Sequence, residues 1–534
     1  MLTLINTNRM MPPIAPVGLD YVAGAARLAG LEVELLDLCL AEDPAAAIDD
    51  YFARRQPELV GFTLRNVDDC FWPGHAWFVP ELTETIHRIR ARCEAPVVLG
   101  GVGFSIFAAE IVDVTGADFG IRGDGEEALV ALAAELGLGG TSGAMPKRSV
   151  GMSGRTLGLD RAAGLVWRED GVLRTNPPAW PETLSVPTAR DFVDNVTYFR
   201  RGGQIGVETR RGCNRQCIYC ADPLAKGAAA RLRDPAEVAD EIESLLVQGV
   251  DVLHLCDSEF NIPGHHARAI CEELIRRRLG DRVRWYAYLA VVPFDAELAG
   301  AMRRAGCVGI NFTGDSASAA MLATYRQPHR QDDLARAVQA CRQAGIAVMI
   351  DLLLGGPGET PQTVAETIEF VRRIGPDCAG AALGVRLYPG TAIVEMLAAE
   401  GPLEGNPAIH RRYEGPIDLL KPNFYVSPAL GEEPARLVRD LIAGDPRFFE
   451  PADPGPRSGL AVWGGRVAAA GRSDVPTPQV QSGGWGKAER SPRGGDPYAD
   501  YNYNENQPLV DAIAAGARGA YWDILRRLRA NQFQ

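Results

Sequence analysis

The chain has 534 residues, 46% of them hydrophobic and 23% charged, with a formal net charge of −13. That length allows two or three domains with sizeable cores, and the acidic balance excludes a protein that binds nucleic acid through a broad basic face. No stretch reaches the length of a membrane span, the opening MLTLINTNRMMPPIAP has no basic segment leading into an apolar core, and eleven cysteines, mostly scattered singly, read as reduced and cytoplasmic.

Through residue 140, short apolar runs alternate with amphipathic patterns. Strands are predicted at 2–6, 33–37, 59–63, 97–100 and 119–122, with helices starting near Gly18, Pro44, Phe78, Ile106 and Glu126. Val79, Leu82, Ile86 and Ile89 recur at helical spacing. This alternation implies parallel pairing, hence an α/β, doubly wound, Rossmann-like domain over 1–140. Its ligands would sit at the carboxyl ends of the strands. Three loops there stand out: LRNVDD (64–69), GGVGFS (100–105) and RGDGEE (122–127). Glycine-rich turns at such an edge admit a flat macrocycle or a nucleotide tail.

Residues 141–200 read as a connector, with a hairpin at 164–175 turning on Asp170-Gly171. Alternation resumes over 201–400, with strands predicted at 205–209, 252–256, 285–289, 309–313, 347–353 and 384–387. Helices are predicted at 235–248 and 267–278. Six β–α units in this length suit a partial (β/α)6 TIM-type barrel, with reactive residues at the carboxyl ends of strands. Along the third strand Tyr286 and Tyr288 share one face and Trp285 takes the other. Either tyrosine can face a substrate; the alternative is packing against the outer helices. Residues 401–534 form a carboxyl-terminal extension, with a flexible linker over 452–500 and an amphipathic helix over 508–528. The aromatic stretch from 498 to 522 would serve as a lid, an edge strand or a docking contact.

TRRGCNRQCIYCAD (209–222) places Cys213, Cys217 and Cys220 directly after a strand. Three thiolates on one loop suit three irons of a [4Fe–4S] cube and leave the fourth iron open. Zinc would want a fourth nearby Cys or His, and none is close in sequence. Arg210, Arg211 and Arg215 are expected to keep the thiols deprotonated.

The segment resembles the radical S-adenosylmethionine superfamily, and the likeness covers roughly residues 200–400. CDSEF (256–260) matches the element that holds the methionyl amine, with Glu259 in the acidic position. NFTGDS (311–316) matches the ribose-binding strand end, with Asp315 and Ser316; many relatives carry Glu where Asp315 stands. LGGPGET (354–360) matches the loop near the adenine, through Gly355 and Gly356, and LYPGT (387–391) matches the end of the sixth strand.

The order of parts resembles the cobalamin-binding branch of that superfamily. The resemblance implies a corrin held by Leu64, Asn66, Gly100, Gly101, Gly103, Ser105, Gly123, Gly125 and Glu126. The D-x-H-x-x-G motif that gives cobalt a histidine in other cobalamin enzymes is absent; His75 and His87 lie in other contexts. Arg65 is therefore expected beneath the corrin, where a cation disfavours a sixth ligand; the alternative is a surface pair with Asp68 or Asp69.

The implied cofactors are a [4Fe–4S] cluster, S-adenosylmethionine and cobalamin. The implied activity is methyl transfer through methyl-cobalamin to an unreactive carbon of a small-molecule or natural-product intermediate, an indole or tryptophan carbon among the possibilities. Alternatives are a cyclising, ring-rearranging or oxidising enzyme, and a non-catalytic cobalamin sensor. The expected partners are a small-molecule or peptide substrate and an electron donor such as flavodoxin or ferredoxin, docking at a basic patch such as 276–278, with no nucleic acid and no membrane.

Overall fold

The computed structural model describes residues 1–72, 76–138, 158–451 and 503–532. The first domain runs β1 (Leu2–Asn6), α1 (Val17–Leu28), β2 (Val33–Asp37), α2 (Pro44–Arg54), β3 (Leu59–Thr63), α3 (Val79–Arg90), β4 (Val97–Gly100), α4 (Val102–Ile106), α5 (Ala108–Thr115), β5 (Phe119–Ile121) and α6 (Glu126–Glu135). Its five strands are parallel in the order β2-β1-β3-β4-β5. Strand residues alternate between the two covering layers, as pleat geometry requires. Ile5, Phe62 and Leu99 pack with Ile48, Phe52, Leu82 and Ile86, while Leu2, Leu4 and Val98 pack with Leu19, Ala23 and Leu132.

The expected hairpin is β6 (Leu165–Glu169) and β7 (Val172–Thr175). Asp170 (φ 50°) and Gly171 (φ 81°) both take positive φ, as a two-residue turn matched to strand twist demands. The hairpin extends the first sheet, β6 pairing antiparallel with β5.

After α7 (Asn195–Gly202) the second domain contains β8 (Ile205–Val207), β9 (Arg210–Arg211), α8 (Asp222–Lys226), β10 (Arg231–Leu232), α9 (Pro235–Val247), β11 (Val252–Leu255), α10 (Gly264–Arg276), β12 (Arg284–Leu289), α11 (Ala296–Arg304), β13 (Cys307–Asp315), α12 (Ala319–Thr324), α13 (Gln331–Ala344), β14 (Ala347–Leu354), α14 (Pro361–Ile374) and β15 (Cys378–Leu383). Strands β8, β11, β12, β13, β14 and β15 are neighbours in that order, all parallel, in an open barrel wall.

The sixth barrel strand falls earlier than predicted. CAGAAL (378–383) forms it, although its small residues give a weak strand signal. The VRLY that follows, with larger side chains of higher strand propensity, is turned away at Gly384 (φ 89°). There β16 (Val385–Arg386) begins a separate antiparallel sheet with β17 (Ile409–His410) and β18 (Phe424–Tyr425), α15 (Ala392–Glu400) lying between them in sequence.

The chain then runs through α16 (Pro434–Ile442) to β19 (Phe448–Phe449), which adds to the free edge of β15. The predicted final helix is two, α17 (Gln507–Ala514) and α18 (Tyr521–Gln532), separated at Gly516 (φ 104°) and Gly519 (φ 137°). The break lets α18 enter the barrel wall, where Trp522 Nε1 donates to Asn311 Oδ1 at 2.6 Å. The expected linker at 452–500 lies outside the described residues, as do His75 and the start of the aromatic stretch at 498. Among the described residues no helix is long and apolar enough to cross a membrane.

A fully buried ionic cluster joins the two domains. Arg190, between them in sequence, pairs with Asp20 of α1 and Glu241 of α9, each at 2.6 Å. Arg233 pairs with the other oxygen of Glu241 at 2.5 Å. Tyr21 donates to Glu241 at 2.9 Å.

Candidate active site

The cysteine loop leaves the end of β8. Asp257, after β11, fixes its base by accepting from Thr209 N (2.7 Å), Thr209 Oγ1 (2.6 Å) and Arg210 N (3.0 Å). Cys213, Cys217 and Cys220 follow, all unbridged. Burial raises all three thiols, Cys217 to about 12. The expected cationic surroundings are largely engaged elsewhere. Arg211 is ringed by Asp124, Glu126 and Glu208, while Arg210 donates to carbonyls of Glu259 and Ile262 and Arg215 to that of Val292. Among the described residues no three His, Cys, Asp or Glu side chains converge on a single-ion site.

Glu259 and Asp315 stand beside this loop. Glu259 Oε1 accepts from Thr313 Oγ1 at 2.9 Å, but Oε2 is buried with no partner. Burial raises this carboxyl to about 8. Asp315 has φ 53° at a register shift between β13 and β14. It accepts from Tyr219 of the cysteine loop at 2.6 Å and from Gln327 at 2.5 Å, and burial raises it to about 7. The Ser316 hydroxyl turns away to Thr367 of α14 at 2.9 Å. The left-handed backbone at Asp315 ends the strand there, and Ser316 N closes a tight turn on Gly314 O at 2.6 Å.

The amides of Gly355 and Gly356 are engaged within their own surroundings. Gly355 N donates to Glu359 Oε2 at 3.1 Å and Gly356 N to Tyr325 Oη at 3.1 Å. A Cβ on Gly356 would lie 2.3 Å from that hydroxyl, so the glycine admits Tyr325 to the loop.

In the first domain the glycine loops pack on one another. A Cβ on Gly101 would lie 2.6 Å from Leu64 O, and one on Gly103 2.8 Å from Asn66 Cα. Leu64 N donates to Gly100 O at 2.8 Å, and Ser105 Oγ accepts from Gly123 N at 3.0 Å. These contacts shape the edge that Arg65 and Asn66 present. The RGDGEE loop docks on the second domain. Glu126 pairs with Arg211 at 3.0 Å, Asp124 with Arg231 and Arg211, and Gly123 and Gly125 sit against Trp180 and Val22.

Arg65 is exposed and forms no ion pair among the described residues. Asp68 is held by Arg386 at 2.8 Å instead. The Arg65 cation acts on His254, Cys256, Tyr288 and Tyr521, which places it between the sheet edge and the barrel mouth. Tyr288 is 37% exposed, and its position deep among neighbouring groups raises its hydroxyl. Its neighbour His254 meets it edge-on at 5.3 Å, and burial depresses this imidazole to about 4. Tyr286 is committed elsewhere: its hydroxyl donates to Asp523 at 2.9 Å and its ring meets Trp522. Trp285, on the other face, donates to Ala305 O at 2.8 Å. His254 and Cys256 went unremarked in the sequence. The period of two that separated Tyr288 from Trp285 also points both of them inward along β11.

Comparison with known proteins bears on this arrangement. Residues 207–371 match the radical SAM superfamily and residues 7–133 the B12 binding domain. The chain is 32% identical over 444 residues to tryptophan 2-C-methyltransferase of Streptomyces laurentii, covering 74% of each. The chain belongs to the cobalamin-binding radical S-adenosylmethionine family. The methyltransferase TsrM of Kitasatospora setae, solved with cobalamin and a [4Fe–4S] cluster, superposes with a TM-score of 0.74 at 31% identity, over 84% of this chain and 92% of that one. The same enzyme solved with tryptophan and an S-adenosylmethionine analogue gives 0.81 at 28% identity, over 100% and 98%.

As a member of this family the protein is a radical S-adenosylmethionine methyltransferase whose cofactors are a [4Fe–4S] cluster, S-adenosylmethionine and cobalamin. The residues present fit these groups. Three unbridged thiols on one loop are the donor set for three irons. The unpartnered Glu259 oxygen requires a donor, which a methionyl amine supplies. Arg65 and Tyr288 lie at the carboxyl ends of β3 and β12, near enough for the Arg65 charge to act on the Tyr288 hydroxyl, and ligands of such folds bind at those ends.

Proposed function

We propose that the protein transfers the methyl group of S-adenosylmethionine to an indole carbon of tryptophan or a close derivative. The observation that carries this reading is the near full-length likeness to TsrM with tryptophan bound, together with the identity to the Streptomyces laurentii tryptophan 2-C-methyltransferase. In the overall reaction a sulfur–methyl bond breaks, a carbon–methyl bond forms and the proton on that carbon leaves. When bound, the cluster and cobalamin supply electron transfer and methyl carriage.

The chain's own residues bind, orient and exclude water. Cys213, Cys217 and Cys220 hold three irons. Glu259 accepts from the methionyl amine with its unpartnered oxygen, and Asp315 lines the same side, tied to the cysteine loop by Tyr219. The loop of Leu64, Arg65 and Asn66 lies under the macrocycle, with Arg65 as the cation where no histidine is supplied. Tyr288 and His254 offer an aromatic wall suited to a flat indole. In domain terms, 1–140 carry cobalamin, 141–200 connect, 201–400 carry the cluster, and 401–534 form the carboxyl-terminal extension. A small carrier such as flavodoxin or ferredoxin supplies electrons. In the 276–278 patch Arg276 and Arg277 are paired with Glu273, which lowers the local positive field available to such a carrier.

The test is to reconstitute the protein anaerobically with iron, sulfide and cobalamin, and to supply tryptophan and methyl-deuterated S-adenosylmethionine. A tryptophan product carrying the intact deuterated methyl on an indole carbon supports the reading. Turnover of the methyl donor with unmodified tryptophan overturns the substrate assignment.

A further inference from the structure

Gln327 stands behind the cysteine loop and belongs to none of the motifs above. Helix α12 ends in a Schellman turn, which reverses the chain through a left-handed residue. Arg326 takes φ 60°, its N–H donates to Ala323 O at 3.1 Å, and Gln327 N donates to Leu322 O at 2.8 Å. The reversal aims the Gln327 side chain at the loop. There Tyr325 and Tyr219 meet edge-to-face at 5.8 Å, fixing the two segments together.

The Gln327 amide nitrogen has two hydrogens and three acceptors in reach. Asp315 Oδ2 lies at 2.5 Å, Cys217 Sγ at 3.3 Å and Tyr219 Oη at 3.3 Å. Tyr219 gives its own proton to Asp315 Oδ2, so that oxygen is an acceptor and the amide nitrogen must face it. One hydrogen therefore goes to Asp315. The other points to Cys217 sulfur, shared with the Tyr219 oxygen.

We propose that Gln327 is a positioning residue for the iron–sulfur cluster, its side-chain amide donating to the Cys217 sulfur and raising the reduction potential of the cluster held there. A hydrogen bond to a ligand sulfur withdraws charge from the thiolate and favours the state with one more electron. Anchorage on Asp315 keeps the donor in place, so the effect is built into the fold. The inference rests on Cys217 being a cluster ligand.

The test is an EPR-monitored potentiometric titration of the reconstituted holoenzyme, wild type against Gln327→Leu and Gln327→Glu. The iron count is read first: a wild-type protein without about four irons per chain would fail the ligand assignment before any potential is compared. The midpoint is expected to fall in Gln327→Leu, which removes the donor, and further in Gln327→Glu, which puts a carboxylate beside the sulfur. Coincident midpoints in the three proteins would overturn the proposal. Should either variant fail to hold its cluster, the wild type decides. Pulsed EPR of the reduced holoenzyme, labelled with 15N only in glutamine side chains, is expected to show a 15N coupling to the cluster, and its absence overturns the proposal.

Discussion

The Tyr286 hydroxyl donates to Asp523 at 2.9 Å, tying the third barrel strand to the last helix of the chain. Trp522, beside Asp523, is buried and donates to Asn311 on the neighbouring strand. Helix α18 is thus part of the barrel interior. Trp522→Ala should cost about 3–5 kcal/mol, the range for emptying a buried aromatic site. Tyr286→Phe should cost about 1 kcal/mol, the worth of one hydrogen bond. Denaturant unfolding of both variants measures this. Full stability with lost turnover in Tyr286→Phe would mean that the tyrosine acts on substrate instead.

Glu259 has one satisfied oxygen and one without a partner. Glu259→Gln keeps the shape and removes the charge. Binding of S-adenosylmethionine to the reconstituted protein should weaken about 10- to 100-fold, the equivalent of a charged hydrogen bond. Calorimetry reads the affinity, and the iron content should not change. Equal affinity in the two proteins would dissociate Glu259 from the amine.

Gly103 has no room for a side chain, because an added Cβ would lie 2.8 Å from Asn66 Cα and 2.9 Å from Val67 N. Gly103→Ala should push the 64–69 loop out of place at about 1–3 kcal/mol of overpacking. The expected result is a protein with a full iron count and little bound cobalamin, read from its absorbance spectrum. Normal cobalamin content would show that this loop does not shape the corrin site.

Glu359 is fully buried within the 354–360 loop, and burial raises its carboxyl to about 7 from an ordinary 4.5. The folded state therefore holds its proton more tightly than the unfolded chain. Its contribution is complete below the unfolded value and is lost as pH rises through the folded value. Between pH 5 and 8 the wild type should lose up to about 3 kcal/mol relative to Glu359→Gln, at about 1.4 kcal/mol per pKa unit. Thermal unfolding of both proteins across that range checks the sign. Parallel curves would place the titration elsewhere.

The strands of the first sheet, five of the six barrel strands and the reactive loop were legible in the sequence, because apolar runs keep a fixed period and three cysteines on one loop have few meanings. The fates of glycine-rich and charged loops were less legible. RGDGEE resembles a ligand loop, yet Glu126 and Asp124 meet Arg211 and Arg231 from far along the chain. No local pattern announces such a partner. Ser316 follows Asp315 in sequence, but the left-handed Asp315 backbone ends the strand and turns the serine hydroxyl to Thr367, which strand periodicity does not announce. The last helix was drawn too long because its apolar side continues across Gly516 and Gly519, whose backbone angles end it.

The cluster of Asp20, Arg190, Glu241 and Arg233 has a consequence for how this enzyme can move. Separating the two domains would break the Asp20–Arg190 pair and the Tyr21–Glu241 hydrogen bond and open to water side chains that are now 0% exposed. Arg233 and Glu241 sit on the same side of the seam, so their pair would survive. A seam held this way favours a constant separation between Arg65 and Tyr288, with the catalytic cycle carried by small molecules that enter and leave between them.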